Sequence, residues 1–327
     1  MTMRGFFIAV LAYLAVAILV LWWQSNDLIE TLYAAGQATW DYSGTLAQSG
    51  GIWVLPGLAV LPLVLGRQAF RARLVVVLYA FTACILLQVA FSILKTAIPG
   101  LVPFYADPAF ARLDRWLHGG TDPWQMAHSL TEGWPMGALL PFYLQIWTFP
   151  ATALPVFIAV TDNDRDRTVR FLTLYLGIWI GLGTILALAG SSVGPVYYDA
   201  LLGTDRFADL TEALRRSPIN GSLLGDIQNA LWENYASGAG ALGLGISAFP
   251  SVHVAIATLT VLYLAERARA FVLIGFLWLA LVQFLSVYTG YHYALDGYVS
   301  ALAVFGAWVV LRRRYSLPLR VLATGPK

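Results

Sequence analysis

Two of the four histidines lie in short polar stretches between long apolar runs. His253 closes Phe249-Pro250-Ser251-Val252-His253, and His292 lies within Gly290-Tyr291-His292-Tyr293-Ala294-Leu295-Asp296. Asp296 follows His292 by four positions, so on a helix the two side chains share a face and can hydrogen-bond. An imidazole attacks phosphorus through an unprotonated ring nitrogen. The other nitrogen must keep its proton, and a carboxylate bonded there fixes that tautomer. His292 therefore reads as a nucleophile for phosphoryl transfer and Asp296 as its partner. His253 reads as the acid for the leaving group and later the base for water or an alcohol. Pro250 suits the first turn of a helix. The amides of Ser251, Val252 and His253 at that start, with the helix dipole, form an anion site to which Ser251 adds a hydroxyl.

Other chemistries fit these residues less well. His253, His292 and Asp296 are all good zinc ligands, but no H-E-x-x-H spacing is present. Ser251 lacks the G-x-S-x-G elbow of a serine nucleophile. His118 and His128 fall on surface helices and read as bystanders. The mechanism requires no metal and no cofactor.

The elements that must position these groups are membrane helices. The 327 residues are 59% hydrophobic and 12% charged, against about 25% charged in a soluble domain. Twelve Trp, 16 Tyr and 17 Phe suit aromatic belts at two interfaces. The net charge of +2 argues against a nucleic-acid partner. The one cysteine, Cys84, lies in an apolar run and excludes a disulfide within the chain. The expectation is an all-α polytopic bundle, a single integral membrane domain over 1–327 with its catalytic core at about 138–311.

Eight spans are expected, at about 5–23, 52–65, 74–94, 138–160, 171–189, 250–265, 271–288 and 293–311. The second is short and interrupted by Pro56 and Pro62. Gly177 and Gly181 give a GxxxG spacing that reads as close helix packing. Two long connections carry amphipathic helices. Asp107-Pro108 reads as a cap and first turn, with Phe110, Leu113 and Leu117 as an apolar face lying on the membrane surface. Helices near 205–216 and 223–235 follow, and the glycine-rich run 238–245 reads as a loop or a lid hinge. With Arg4 in the cytoplasm, 14 of the 20 Lys and Arg fall on the cytoplasmic side, as the positive-inside rule asks. Both termini are then cytoplasmic, and His253 and His292 share the extracytoplasmic face.

At these residues the sequence resembles the type-2 phosphatidate phosphatase superfamily of membrane phosphoesterases, whose motifs are K-x6-R-P, P-S-G-H and S-R-x5-H-x3-D. Pro250-Ser251-Val252-His253 matches the second with Val252 for glycine. His292 to Asp296 matches H-x3-D, while Leu285 and Ser286 replace the leading S-R. The resemblance implies the same roles for His292, Asp296 and His253. The first motif belongs at Ser191-Ser192-Val193-Gly194-Pro195, which lacks its lysine. Lys95 to Pro103 matches K-x6-x-P two helices earlier. Arg206, Arg215 or Arg216 could also supply the missing cation. The F-P-S-x-H-V-A and H-Y-x-x-D forms look most like the inositol phosphorylceramide synthase branch, which moves a phospho-headgroup from a phospholipid to a lipid alcohol. The expected partner is thus a phospholipid or lipid phosphate, held by Ser251, Val252, Pro250, Gly290, Tyr293, Lys95, Gly194, Pro195 and Tyr197. A phosphatase releasing inorganic phosphate is the alternative. A transporter is a further one, though it would need ionisable or broken-helix features deep in the spans.

Overall fold

The computed structural model describes residues 1–25 and 66–316, with Asp27, Ile29, Tyr33, Gly36 and Gln37 between them. No strand occurs among the described residues. Among the described residues six helices are long and apolar enough to cross a membrane. They are α1 (Met3–Ser25), α2 (Arg67–Leu101), α5 (Met136–Thr161), α6 (Arg165–Ala189), α11 (Phe271–Tyr288) and α12 (Ala294–Ser316). The expected second span, 52–65, lies outside the described residues. The expected sixth is α10 (Val252–Arg267), which at about 24 Å is the shortest of the long apolar helices.

Helix α10 is the hub of the bundle. Val254, Ala255, Ile256, Ala257 and Leu259 are all buried in its first half, and α5, α6, α11 and α12 pack around it. A helix apolar on every face has to be enclosed in this way. Helices α5 and α6 each contain wide π turns, at Phe142–Ile146 and Ile178–Leu186. Those turns overturn the GxxxG reading, which assumes regular α spacing. A Cβ on Gly177 or Gly181 would meet nothing within 4 Å, whereas one on Gly183 would lie 2.7 Å from Phe91. The extra residue per turn rotates the packing face past the expected pair.

The two long connections gather at one end of the bundle. The first holds α3 (Asp107–Leu117) and α4 (Pro123–Leu130). The second holds α7 (Pro195–Leu202), α8 (Ala208–Arg216) and α9 (Leu223–Ser237). Leu210 and Leu214 of α8 are buried, as its amphipathic pattern predicts. The other end carries ion pairs. Arg167 binds Asp162 at 2.6 Å, Arg170 binds Glu266, and Arg267 lies 3.7 Å from Asp162. Asp162 is held below the usual carboxylate range: burial pushes it up, and hydrogen bonds led by Arg167 outweigh that.

Helix α3 corrects the sequence expectation. Its buried residues are Asp107, Ala111 and Asp114, while Leu113 and Leu117 are exposed. The helix therefore turns a carboxylate stripe inward, at spacings of four and three. The reason lies in what it faces, which is a set of unpaired backbone amides from two other segments.

Candidate active site

The functional end is built on two helix starts. Ser251 caps α10, its hydroxyl accepting from the Val254 amide at 3.4 Å. The Ser251 amide donates to the Asp296 carbonyl at 3.3 Å. Helix α10 thus begins at Val252, two residues later than the sequence suggests. The amides of Val252 and His253, with no partner among the described residues, remain for an anion. The second start is that of α12. The side chain of Asp114, far away in sequence, accepts from the amides of Ala294 (3.1 Å) and Leu295 (3.0 Å). A carboxylate at a helix N-terminus also suits the helix dipole, so α3 supplies the cap that α12 lacks.

His292 sits just before α12 and is buried with Asp296. The Asp296 carboxylate accepts from the Tyr293 amide at 3.0 Å and lies 3.4 Å from His292 Nδ1. Neither His292 Nδ1 nor Asp296 Oδ1 has a hydrogen-bond partner, although both are buried. The oxygen nearest Nδ1 is Oδ2, the one that accepts from Tyr293, so the pair stands just beyond a good hydrogen bond; such contacts are often long without substrate. His292 is pushed down to about 3, chiefly by burial, with the Lys95 charge acting the same way against the pull of the Ala248 backbone. Its ring is therefore neutral at physiological pH, the state a nucleophile needs.

His253 faces it with ring centroids 6.0 Å apart. Its imidazole is stacked on Tyr143 (4.3 Å) and on Trp147 (4.0 Å), and Trp147 Nε1 donates to the His253 carbonyl at 3.0 Å. These two aromatics, which sequence reasoning missed, hold the ring in one plane. Tyr143 lies within the π turn of α5 and Trp147 directly after it; their i, i+4 spacing, which puts them on one face, was the signal available in the sequence.

Both histidines open into a cavity of about 510 Å³. Among the described residues Lys95 is the one lysine or arginine on its wall, and it makes no ion pair there. Val252, Pro250 and Tyr197 also line this cavity, with Tyr143, Trp147 and Tyr291. Five residues expected to hold substrate do not line it: Ser251, Gly194, Pro195, Gly290 and Tyr293. They form the frame instead. Gly194 has φ +82°, and a Cβ there would lie 2.3 Å from the Tyr291 carbonyl. The Gly290 carbonyl accepts from Val196 at 2.9 Å. The Tyr293 hydroxyl donates to Asp107 at 3.1 Å.

Asp107 organises that frame. It also accepts from the Ser192 hydroxyl (2.7 Å), the Val193 amide (2.9 Å) and the Gly194 amide (3.0 Å). Burial still lifts its carboxyl above the ordinary range, ahead of these opposing hydrogen bonds. A clue existed in the sequence: Asp107, Ala111 and Asp114 lie at i, i+4 and i+7, one stripe of a helix.

The remaining candidates lie elsewhere. Arg206 binds Asp122 through two contacts of 2.6 and 2.9 Å. Arg215 and Arg216 bind Glu212. His118 Nδ1 contacts the Asp114 carbonyl (2.6 Å) and its Nε2 the Tyr298 hydroxyl (3.0 Å). His128 stacks on Tyr288 with ring centroids 4.2 Å apart. Among the described residues no group of three or more His, Cys, Asp or Glu could hold a metal ion.

A search of the curated proteins and one of the solved structures each find no match. Among family models, the one described as PAP2 superfamily matches residues 108–310. That stretch takes in α3 from Pro108 onward, both histidine motifs and α12 as far as residue 310, and leaves out Lys95. With more than half of its length so matched, the chain belongs to the PAP2 superfamily, whose members are phosphoesterases and phosphotransferases of lipid phosphates.

Proposed function

We propose that this protein is a lipid phosphotransferase that works through a phosphohistidine on His292 and passes a phospho-headgroup from a phospholipid to a lipid alcohol. The observation that carries the reading is the buried His292–Asp296 pair, 3.4 Å apart, opposite His253 on a cavity whose described wall carries Lys95 as its one cation. The donor phosphate rests on the Val252 and His253 amides and the Lys95 ammonium. The His292 Nε2 lone pair forms the N–P bond while the bond from phosphorus to the departing lipid oxygen breaks. Protonated His253 gives that oxygen its proton, and Asp296 steadies the positive charge on His292 through Nδ1–H. In the second half His253 takes the proton of the acceptor hydroxyl, whose oxygen bonds to phosphorus as the N–P bond breaks.

A single lysine suits a phosphodiester with one negative charge better than a monoester carrying nearly two. Tyr291 and the apolar face of α9, through Leu224, Ile227 and Leu231, wall the cavity and favour an alcohol over water, which protects the intermediate from hydrolysis. By the arginine bias this end faces away from the cytoplasm.

The test is donor consumption by purified protein in detergent, with and without a long-chain alcohol, while free phosphate is measured. Phosphodiester lipids are expected to be better donors than phosphatidic acid, and the alcohol to accelerate turnover. Rapid phosphate release from phosphatidic acid, indifferent to the alcohol, would establish the phosphatase instead.

A further inference from the structure

A second hollow, of about 350 Å³, lies between α7, α8, α9 and the turn that joins the last two. Of the residues that line it, only Tyr197 also lines the catalytic cavity. Helix α9 divides the two. Its Leu224, Ile227 and Leu231 face the catalytic cavity, while Gly225, Gln228, Asn229 and Trp232, at i, i+3, i+4 and i+7, wall the second. Gly225 lets the turn close this cup, because a Cβ there would lie 2.4 Å from the Ile219 carbonyl. The volume is at the small end of the range for small-molecule sites, about 300–1,000 Å³. Thr211, Arg215, Asn220, Asn229 and Glu233 line it and are exposed, so the cup opens to water and not to hydrocarbon.

One buried side chain in the cup has an unused atom. Gln228 is 7% exposed. Its Nε2 donates to the Thr289 carbonyl at 2.8 Å. A carbonyl only accepts, so the orientation of the carboxamide is fixed. Its Oε1 has no partner among the described residues, yet it is not sealed from the cavity. A buried acceptor of this kind calls for a donor. The Trp232 Nε1–H and the Asn229 carboxamide also have no partner among the described residues. Stacking on Tyr197, with ring centroids 5.7 Å apart, holds the Trp232 ring in place. Glu212 engages the Arg215 guanidinium through contacts of 2.7 and 2.8 Å, and Glu233 adds a carboxylate to the wall. The cup therefore holds no spare positive charge.

Its inventory is mixed: acceptors at Gln228 and Glu233, a donor at Trp232, and both at Asn229. A phosphate or carboxylate has only acceptors and would face the Gln228 oxygen and the Glu233 carboxylate. An ammonium has at most donors and would leave the Trp232 N–H unpaired. A hydroxyl donates and accepts at once. We infer that this cup binds a neutral polyhydroxylated ring, either a free sugar or the sugar headgroup of a lipid. The inference rests on the cup alone and not on the reaction assigned to the histidines.

The experiment is saturation-transfer NMR on the full chain in a polyoxyethylene detergent, which carries no sugar of its own. The probes are glucose, galactose and mannose, with inorganic phosphate and choline as controls. At least one sugar is expected to receive saturation. Asn229→Ala, and Trp232→Phe, which keeps a ring on Tyr197 and removes the N–H, should each weaken its Kd about two- to tenfold. Thermal unfolding reports that both variants fold. Displacement of the sugar by its alkyl glycoside at a lower concentration than by the free sugar would assign a lipid headgroup, and no such advantage a free sugar, both within the class inferred. No saturation of any sugar, sugar binding that both variants leave unchanged, or phosphate or choline binding that they weaken would overturn the inference.

Discussion

Asp107 offers the sharpest test of how the site is held. Its carboxylate accepts four hydrogen bonds, three at Oδ1 and one at Oδ2. In Asp107→Asn the amide oxygen can take the Oδ1 place and keep three of them. Its NH₂ then meets the Val193 N–H, donor against donor. One unsatisfied buried donor costs about 1–3 kcal/mol. Relief of the burial that raises the Asp107 carboxyl offsets part, for a net loss of about 1 kcal/mol. Asp107→Ala strands all four donors. Their costs do not add fully, and about 4 kcal/mol is the expected loss. In thermal unfolding by tryptophan fluorescence in detergent these become drops of about 2–3 °C and about 10 °C. Lipid turnover should follow the same order, since Asp107 joins the 192–194 loop to Tyr293, the neighbour of His292. An Asn variant as damaged as the Ala variant would mean that charge, not acceptor count, matters. Two variants as stable as wild type would refute the clamp.

Four further outcomes are expected. His292→Ala should abolish turnover, and Asp296→Asn should cut kcat by about 10³-fold or more with KM little changed, because only the tautomer is lost; steady-state kinetics with one donor measure both. Lys95→Met removes a positive charge beside His292, so the ring should titrate above about 3 yet below the ordinary 6.5, because burial, the larger cause, remains; histidine NMR of labelled protein reads it. The folded pKa of His292 lies below its unfolded value, so its contribution to stability is complete above pH 6.5 and shrinks toward pH 3, by up to about 1.4 kcal/mol per pH unit; unfolding of His292→Gln should vary less steeply with pH in that window than wild type. Gly194→Ala must adopt φ +82° and place a Cβ 2.3 Å from the Tyr291 carbonyl, at a cost of about 3 kcal/mol, whereas Gly177→Ala and Gly181→Ala, with open space around them, should unfold like wild type.

What could be read from the sequence was local. His292 and Asp296 are four apart, His253 opens a helix after a proline, and α8 and α9 announce themselves by apolar stripes. Each of those signals lies within one helical turn or one helix. The misses were of two kinds. The π turn of α6 changes the residue count per turn, so a reading at 3.6 residues chose Gly177 and Gly181 over Gly183; Tyr143 and Trp147, four apart on one face, were overlooked because their partner His253 lies on another helix. The inward face of α3 depends on partners 85 to 186 residues away. From within the helix, Asp107 and Asp114 look like carboxylates left to solvent, and the exposed Leu113 and Leu117 look like the packed face.

The two departures from the family motifs then become one. Where the first motif puts its lysine and arginine, counted back from Pro195, this chain has Ala187 and Gly194, and Ser192, Val193 and Gly194 turn their hydroxyl and amides inward onto Asp107. A cation placed on that loop would sit beside a buried carboxylate and be neutralised by it, lost to any substrate. The arginine of the third motif is likewise replaced by Ser286, which is buried and donates to the Val282 carbonyl at 2.8 Å. On the proposed reading, positive charge for a phosphate comes instead from α2, whose Lys95 lines the cavity. Gly245 shows how close the fit is: a Cβ on it would come within 2.6 Å of the Lys95 backbone. The glycine-rich segment 238–245, read from sequence as a loop or hinge, is where the chain lies directly against the helix that carries the lysine. On the proposed reading, a chain that spends its loop amides on an internal carboxylate takes its cation from α2, and Lys95, outside the matched region but on the cavity wall, is that residue.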